Sequence, residues 1–282
     1  SQFFNDPDFY NEIATQSLRF DGAGSSRIAR TPSSASNQRT FTLSMWIKRS
    51  NTTDQNGFFD VNASGTTKTS LNFHSDDGLR LWVQAGNGAM YTSQLFRDLI
   101  GWFNLVWQAN TTSPYVKFFI NGTEVTAFSY DNRTTYPSTN NMEVNSQIEH
   151  LFGGWYGNGS YTEFSGYLAE INFVDGASLA PTSFGELKNG VWIAKDTSEL
   201  TFGTNGYRLS FASTDLNISG SAVDDPRGSS TQVPNNGMAD ASGGGNHFTC
   251  TNITAYNIVP DSPENNFCTI NPISSGAGTF SE

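Results

Sequence analysis

Apolar and polar side chains alternate in short runs along the whole sequence, and this alternation most constrains what the chain can fold into. The clearest run is residues 41–48, in which Phe41, Leu43, Met45 and Ile47 fall on one face of an extended strand. Three polar side chains and a tryptophan fall on the other face. A period of two is typical of a strand with one buried face. We therefore predict a half-buried strand here.

Turn signals separate the alternating runs. Asn121-Gly122 tolerates the positive φ angles of a type I′ turn, and Asp77-Gly78 predicts a second hairpin. Only residues 181–187 have a helical pattern. The predicted strands are residues 17–20, 41–48, 57–61, 70–73, 79–84, 102–108, 115–120, 123–128, 147–152, 167–174, 191–194, 207–211 and 247–251. Short strands without intervening helices predict an all-β, two-sheet antiparallel sandwich.

Composition agrees with this fold class and argues against several functions. Aromatic residues make up 13% of the 282 residues, whereas charged residues make up only 15%, and strong helix formers are scarce. The formal net charge of −11 disfavours nucleic-acid binding and docking to anionic membranes. Because no apolar run approaches the ~18 residues of a membrane span, we expect no membrane insertion. Without a signal-peptide pattern, we expect assembly in a cytoplasm, unless a leader precedes this chain.

The two cysteines and three histidines give no catalytic or metal-binding pattern. Cys250 and Cys268 are too few for a disulfide framework, so they are either two free thiols or one disulfide. His74, His150 and His247 lie far apart, and no serine stands in a Gly-x-Ser-x-Gly elbow. These observations predict that the protein is not an enzyme.

Three stretches resemble a known family, and they occur in that family's order. SLRFDG resembles an opening strand, FTLSMWIKR a core strand with a tryptophan, and GYLAEINFVDG a closing strand. Together they resemble the laminin-G-like, concanavalin-A-like jelly roll, in the form found in tail-fibre and virion structural proteins of tailed bacteriophages, especially marine ones. Three later segments continue the resemblance: GTNGYRLSF, DASGGGNHFT and DSPENNF.

The resemblance and the change in composition near residue 185 predict three regions. Residues 1–14 form an N-terminal arm, and residues 15–185 form the laminin-G-like jelly-roll sandwich. Residues 186–282 form an irregular, loop-rich C-terminal extension, which either packs on the sandwich or leads into a further module.

The closing strand contains the strongest enzymatic lead. Concanavalin-A-like glycoside hydrolases place two carboxylates on one strand in the pattern E-x-D-x-x-E, and a retaining mechanism needs them ~5 Å apart. Here the pattern is Glu170, Asn172 and Asp175, so the middle acid is an amide and the last acid is shorter. We therefore interpret Glu170 and Asn172 as polar positions of an ordinary strand.

Two hexapeptides of the form D-x-N-x-S-G suggest calcium. Hard oxygens at alternate positions before a glycine suit Ca²⁺, and the resemblance to laminin-G-like domains strengthens this hypothesis. The alternative is that these residues simply make turns. The candidate ligands are Asp60, Asn62 and Ser64 in one stretch and Asp215, Asn217 and Ser219 in the other.

A glycine-rich aromatic loop at residues 153–161 is the candidate glycan-binding site. Its side chains Trp155, Tyr156, Asn158 and Tyr161 offer flat rings for sugar faces and directional hydrogen bonds. The alternatives are that Trp155 folds back to cap the core, or that it packs against a neighbouring subunit.

The resemblance implies a non-enzymatic virion surface protein, either a tail fibre or a capsid fibre or decoration, which contacts host cell-surface glycans. We expect homo-oligomers, trimers among them, that also contact other virion proteins. One alternative is a purely structural virion protein that binds no sugar. A second alternative is a polysaccharide hydrolase or lyase.

Overall fold

The computed structural model confirms the predicted fold class, with two large antiparallel sheets that pack face to face. It describes residues 9–22, 25–52, 56–63, 67–83, 88–133, 136, 139–157 and 160–266. Within these ranges, no helix is long and apolar enough to cross a membrane.

The first sheet has eight strands. They are β1 (Ser17–Asp21), β3 (Phe41–Arg49), β8 (Phe103–Ala109), β9 (Val116–Ile120), β10 (Thr123–Glu124), β15 (Ser165–Asp175), β18 (Tyr207–Leu209) and β22 (Ile258–Val259). Their order is β10-β9-β8-β3-β15-β1-β22, and β18 pairs with the second half of β15.

The second sheet has ten strands. They are β2 (Arg27–Arg30), β4 (Gly57–Asn62), β5 (Lys68–Phe73), β6 (Gly78–Val83), β7 (Met90–Leu95), β11 (Phe128–Asp131), β12 (His150–Phe152), β19 (Leu216–Asn217), β20 (Gly237–Met238) and β21 (Phe248–Thr251). Their order is β11-β7-β6-β5-β4-β12-β2-β21-β20-β19.

Two separate hairpins and three short 3-10 helices complete the described secondary structure. One hairpin pairs β13 (Gly154–Gly157) with β14 (Ser160–Glu163), and the other pairs β16 (Gly185–Lys188) with β17 (Val191–Ala194). The 3-10 helices are Pro181–Ser183, Ser213–Asp215 and Ala255–Asn257.

Aromatic and aliphatic side chains from both sheets fill the space between them. Trp107 is fully buried at its centre, with its ring edge-on to Phe41 at a centroid distance of 4.9 Å and near Phe59 of the opposite sheet at 6.2 Å. Such edge-to-face pairs add to the stability gained from burial. The alternation that predicted the strands therefore selects the residues of this shared core.

The prediction that β3 is half-buried is wrong, because all nine of its residues are buried. Later parts of the chain cover the outer face of the first sheet. Phe184 and Phe202 pack against Val106 and Val174 of that face. Hairpin β16–β17 lies beside them and contributes Ala194 to a second cluster with Trp46, Ala169 and Ala14.

The residues after 185 contribute strands to both sheets. Strand β18 pairs with β15 and β22 pairs with β1, whereas β21 pairs with β2 and is followed in the sheet by β20 and β19. Cys250 is a free, buried thiol in β21, and Cys268 lies outside the described residues. The boundary predicted at residue 185 stays a prediction.

The prediction of a helix over residues 181–187 is only partly right. The 3-10 helix ends at Ser183, and Gly185–Lys188 is a strand. The reason is a second type I′-like turn, in which Asn189 and Gly190 have φ of 51° and 82° and fold Val191–Ala194 back against that strand.

Another difference lies at residues 123–128, where β10 ends at Glu124 and the chain enters the second sheet as β11.

The turns at Gly122 and Gly190 allow a matched test of packing. Both glycines have positive φ, but a Cβ at Gly122 would lie 2.5 Å from the Trp192 ring, whereas a Cβ at Gly190 would meet nothing within 4 Å. We expect Gly190→Ala to lower the free energy of unfolding by about 1 kcal/mol. Gly122→Ala should lower it by a further ~1–3 kcal/mol through overpacking. Urea denaturation of both variants measures this difference, and equal losses would contradict the packing of Trp192 on this turn.

Candidate functional site

The structure places the predicted glycan-binding aromatics on hairpin β13–β14, which lies over the outer face of the second sheet. Trp155 is only 4% exposed, so it folds back as in the first alternative considered above. Tyr156 is 41% exposed and lies beside the half-buried Tyr161, with ring centroids 5.3 Å apart. Asn158 lies outside the described residues. Of the described members, Tyr156 alone is largely open to solvent, and glycan binding by this set stays a prediction.

Two cations and a glycine hold Trp155 against the sheet. The Lys68 Nζ lies 4.3 Å from the ring centroid, and the Arg80 guanidinium carbon lies 5.2 Å from it. Gly57 leaves room for the indole, since a Cβ there would lie 2.3 Å from the Trp155 Cδ1. The next residue is fixed by its backbone, because the Tyr156 amide donates to Asp60 Oδ2 at 2.9 Å and Lys68 Nζ donates to the Tyr156 carbonyl at 2.8 Å.

Strand pairing brings a continuous row of functional side chains onto this outer face. Asp60 of β4 pairs with Ser70 of β5, which pairs with Trp82 of β6. A second line runs from Asn72 of β5 through Arg80 of β6 to Tyr91 of β7 and Tyr130 of β11. These positions alternate with core residues such as Leu71 and Leu81 and therefore point away from the interior.

Trp82, Tyr91 and Tyr130, together with Arg80, form a cluster that we name the aromatic patch. The Tyr91 and Tyr130 ring centroids are 5.1 Å apart, and Tyr130 is 45% exposed at the sheet edge. The guanidinium carbon of Arg80 lies 5.3 Å from the Trp82 ring centroid and 5.8 Å from that of Tyr91. Its Nε donates to Asn72 Oδ1 at 2.8 Å, which fixes the cation among the rings. His74 stacks on Tyr91 at 5.2 Å.

Asp60, Ser70 and Asn72 form a second cluster, which we name the polar cluster. All three side chains are fully buried beside Trp155. Among the described residues, Asp60 Oδ1, Ser70 Oγ and Asn72 Nδ2 have no hydrogen-bond partner. A buried polar atom left unpaired costs about 1–3 kcal/mol, so such atoms are uncommon unless water or a ligand satisfies them.

Burial perturbs the charges around the polar cluster. It raises the pKa of the Asp60 carboxyl to about 7, although the Tyr156 amide, the Lys68 ammonium and the Asn62 side chain oppose this shift. Burial also lowers the pKa of Lys68, which Asp60 partly offsets. Desolvation disfavours the charged form of each group. The opposite charge of the neighbouring group favours the charged form and so reduces each shift.

The candidate calcium ligands of the first hexapeptide lie at this same place. Asp60 and Asn62 stand at alternate positions of β4, and Ser64 lies outside the described residues. The ammonium of Lys68 supplies a positive charge next to Asp60. Within the described ranges, no group of three or more His, Cys, Asp or Glu side chains could hold a metal ion.

The second hexapeptide forms a network of its own. Asp215 accepts from Arg227 Nη2 at 2.5 Å and from the Ser210 hydroxyl. Asn217 Oδ1 accepts from the amide and the hydroxyl of Ser219, while its Nδ2 donates to the Pro234 carbonyl. Calcium binding by either hexapeptide stays a prediction.

Glu170, the enzymatic lead, lies in a β-bulge rather than at a regular strand position. Its φ is 45°, and the pairing of β15 with β3 shifts register between Ala169 and Asn172. Its Oε1 accepts from Arg208 Nε at 2.5 Å. Burial raises the pKa of Glu170, and Arg208 opposes the shift. Asp175 is bound separately, by the Asn145 side chain and the Asn205 amide.

His150, another candidate for chemistry, is structural. It is buried in the core, where its Nε2 accepts from the Asn145 amide and its Nδ1 donates to the Ile148 carbonyl. Burial lowers its pKa to about 4, which keeps the ring neutral.

Sequence reasoning missed the aromatic patch and two members of the polar cluster. The signal was present, because Ser70, Asn72, Trp82 and Tyr91 occupy the non-core positions of alternating runs. Only the pairing of β4 to β7 and β11 shows that these positions are neighbours.

Asp60 provides a pH test of this geometry. Its carboxyl has an ordinary pKa of 3.8 when unfolded and about 7 when folded, so only the folded state holds the proton between these values. The contribution of Asp60 to stability is therefore largest at low pH and falls as pH rises from about 4 towards 7, by roughly 4 kcal/mol at most. Asp60→Asn should remove this fall. Thermal melts from pH 4 to pH 8 measure it, with exposed Asp224→Asn as the control, and identical slopes for wild type and Asp60→Asn would contradict the burial of Asp60.

Comparisons with known proteins agree with this architecture. Residues 21–181 match the family model described as the concanavalin A-like lectin/glucanases superfamily. No curated protein sequence matches the chain.

Solved structures are similar to the chain at low sequence identity. A protein from Bacteroides ovatus that is proposed to bind carbohydrate is 15% identical with a TM-score of 0.50, and the match covers 86% of this chain but only 59% of that protein. A heptameric SAP-like pentraxin from Limulus polyphemus is 15% identical with a TM-score of 0.43. The match covers 60% of this chain and 79% of the pentraxin chain. Because the family model matches more than half of its residues, the chain belongs to the concanavalin A-like lectin/glucanases superfamily.

Proposed function

We propose that the chain binds glycans, without catalysis, through the outer face of its second sheet. The observation that carries this proposal is the aromatic patch, in which the exposed Tyr130 and the half-buried Trp82 and Tyr91 share a sheet face with the unpartnered atoms of the polar cluster. Aromatic rings bury the apolar faces of sugars, and a few fixed polar groups give direction and specificity. The lectin/glucanase family of the chain is consistent with this proposal.

The state of the candidate catalytic acid favours binding over hydrolysis or lysis. Glu170 is 2% exposed and is paired with Arg208, whereas Asp175 is held by two asparagines in a different network. A retaining glycosidase needs two carboxyl groups that flank one sugar bond. The buried ion pair of Glu170 makes it a poor member of such a dyad.

We further propose that the protein is exposed on the virion of a tailed phage, as a tail fibre or as a capsid fibre or decoration. The order of the six family-like segments supports this location. Copies of the chain would associate with one another, as trimers for example, and with other virion proteins. Many weak contacts with host cell-surface glycans would then add to firm attachment.

A purely structural virion role is the second candidate, and hairpin β16–β17 favours it. Leu187 is 68% exposed and Val191 is 47% exposed on the same hairpin. The two side chains project from opposite faces of the hairpin, because Leu187 pairs with Trp192 and Val191 pairs with Lys188. Leu187 is the more exposed of the two, and an exposed apolar side chain of this kind can contact another protein. Under this candidate, Leu187→Asp would disrupt assembly while glycan binding would be absent.

The test of glycan binding uses a printed array of bacterial surface polysaccharides and oligosaccharides. We expect wild type to bind a subset, and Tyr91→Ala and Tyr130→Ala to lose at least about tenfold in affinity, because each removes a ring of the patch. The matched control is Tyr256→Ala, because Tyr256 is 88% exposed in a 3-10 turn attached to β1 of the other sheet. Equal losses in all three variants, or no loss in the patch variants, would contradict the proposal.

Location is tested by immunogold electron microscopy of purified virions with an antibody against this chain. We expect gold on the tail fibres for an attachment role and gold across the head for a capsid fibre or decoration. Unlabelled intact particles would refute the virion proposal.

A further inference from the structure

We propose that the polar cluster beneath hairpin β13–β14 is a second subsite for the same glycan, which binds two neighbouring sugar hydroxyls and which Trp155 closes when no ligand is bound. This subsite rests on the proposed glycan-binding function. It adds the pair of hydroxyls that is bound, the three residues that give specificity, and the movement of Trp155.

The three members of the cluster lie within one small area of the sheet. Ser70 is the direct cross-strand partner of Asp60, and Asn72 is two residues from Ser70 on the same face of β5. Their unpartnered atoms are Asp60 Oδ1, which accepts when the carboxyl is ionised and can donate when it is protonated, a donor on Asn72, and a Ser70 hydroxyl that can do both. Three fully buried side chains with free hydrogen-bonding capacity so close together form a ready-made polar binding site.

The complement of this set is a pair of hydroxyl groups. A hydroxyl donates to the Asp60 oxygen while it accepts from Asn72 or Ser70, and a second hydroxyl uses the remaining positions. An anionic group would face the Asp60 carboxyl, which repels it when ionised, and it would offer no hydrogen to that oxygen. An ammonium group would face Lys68, whose Nζ already donates to Tyr156, and Arg80, which lies against the same indole. The geometry therefore points to an uncharged part of a saccharide.

Trp155 covers the cluster from the hairpin side. Its indole contacts Lys68 at one end of β5 and Arg80 at the strand position opposite Asn72, so it spans the outer face where Ser70 and Asn72 lie. It also fills the space over Gly57, the cross-strand partner of Asn72.

The hairpin is built so that it can separate from the sheet. Strands β13 and β14 pair with each other in a sheet of their own and are not part of the ten-stranded ladder. Tyr156 joins β13 to the second sheet through its amide, which donates to Asp60, and its carbonyl, which accepts from Lys68, and Gly153 just before β13 donates to the Phe58 carbonyl at 3.2 Å. Sugar hydroxyls supply the same kinds of hydrogen bond. A ligand can therefore replace the two Tyr156 hydrogen bonds when the hairpin moves away from the sheet.

Ser70→Ala separates this proposal from a structural role. The change removes a buried hydroxyl that has no partner, so the free protein should melt at the same temperature as wild type or higher. If the hydroxyl binds the ligand, affinity for the tightest neutral oligosaccharide of the array falls about tenfold in titration calorimetry. The control is Ser221→Ala, an exposed serine beside β19 at the far edge of the same sheet.

The results for wild type and Ser70→Ala distinguish a failure of the subsite from a failure of the proposed glycan-binding function. A wild type that binds no glycan overturns both proposals. A wild type that binds, with unchanged affinity in Ser70→Ala, overturns the subsite and leaves binding at the aromatic patch intact. A lower melting temperature for Ser70→Ala also overturns the subsite, because the hydroxyl would then have a partner in the free protein.

The movement of Trp155 is tested by NMR of the indole N–H groups. The Trp155 resonance is assigned by its loss in Trp155→Phe, and wild type is then titrated with the same oligosaccharide. We expect this resonance to shift as the indole leaves its two cations. A resonance that stays in place at saturation overturns the closure by Trp155.

Discussion

The covering of the first sheet on both faces is the constraint on which the rest of the structure depends. Its inner face contributes to the shared core, and its outer face is closed by Phe184, Phe202 and hairpin β16–β17. The outer face of the second sheet carries polar and aromatic side chains, and among the described residues hairpin β13–β14 lies above part of it. The surface available for binding therefore follows from how the chain buries its apolar residues.

The candidate site lowers the free energy of unfolding, as binding sites commonly do. Asp60, Ser70 and Asn72 are buried without their full set of partners, and Asp60 holds a proton far above its ordinary pKa. A chain selected only for stability would carry apolar residues there, because such residues avoid the desolvation of polar groups. Lys68 offsets part of this cost, because its ammonium lies near the Asp60 carboxyl and, like the Arg80 guanidinium, over the Trp155 ring. The same arrangement leaves three polar atoms unpaired, and the proposed glycan would pair them.

Much of the fold could be predicted from the sequence because the information was local. Alternation located most strands, and Asn121-Gly122 located a hairpin whose two φ angles are positive as a type I′ turn requires. The full burial of β3 could not be predicted, because its cover comes from residues more than a hundred positions later. The burial of Trp155 depends on Gly57 and Lys68 for the same reason. The bulge at Glu170 leaves no local signal, and the aromatic patch exists only through strand register.

The most direct test of the account is a crystal structure of the chain with the oligosaccharide that it binds most tightly. The account predicts sugar density over Tyr91 and Tyr130, two hydroxyls within hydrogen-bond distance of Asp60, Ser70 and Asn72, and Trp155 displaced from Gly57. Sugar bound elsewhere, with Trp155 still seated between Lys68 and Arg80, would contradict it.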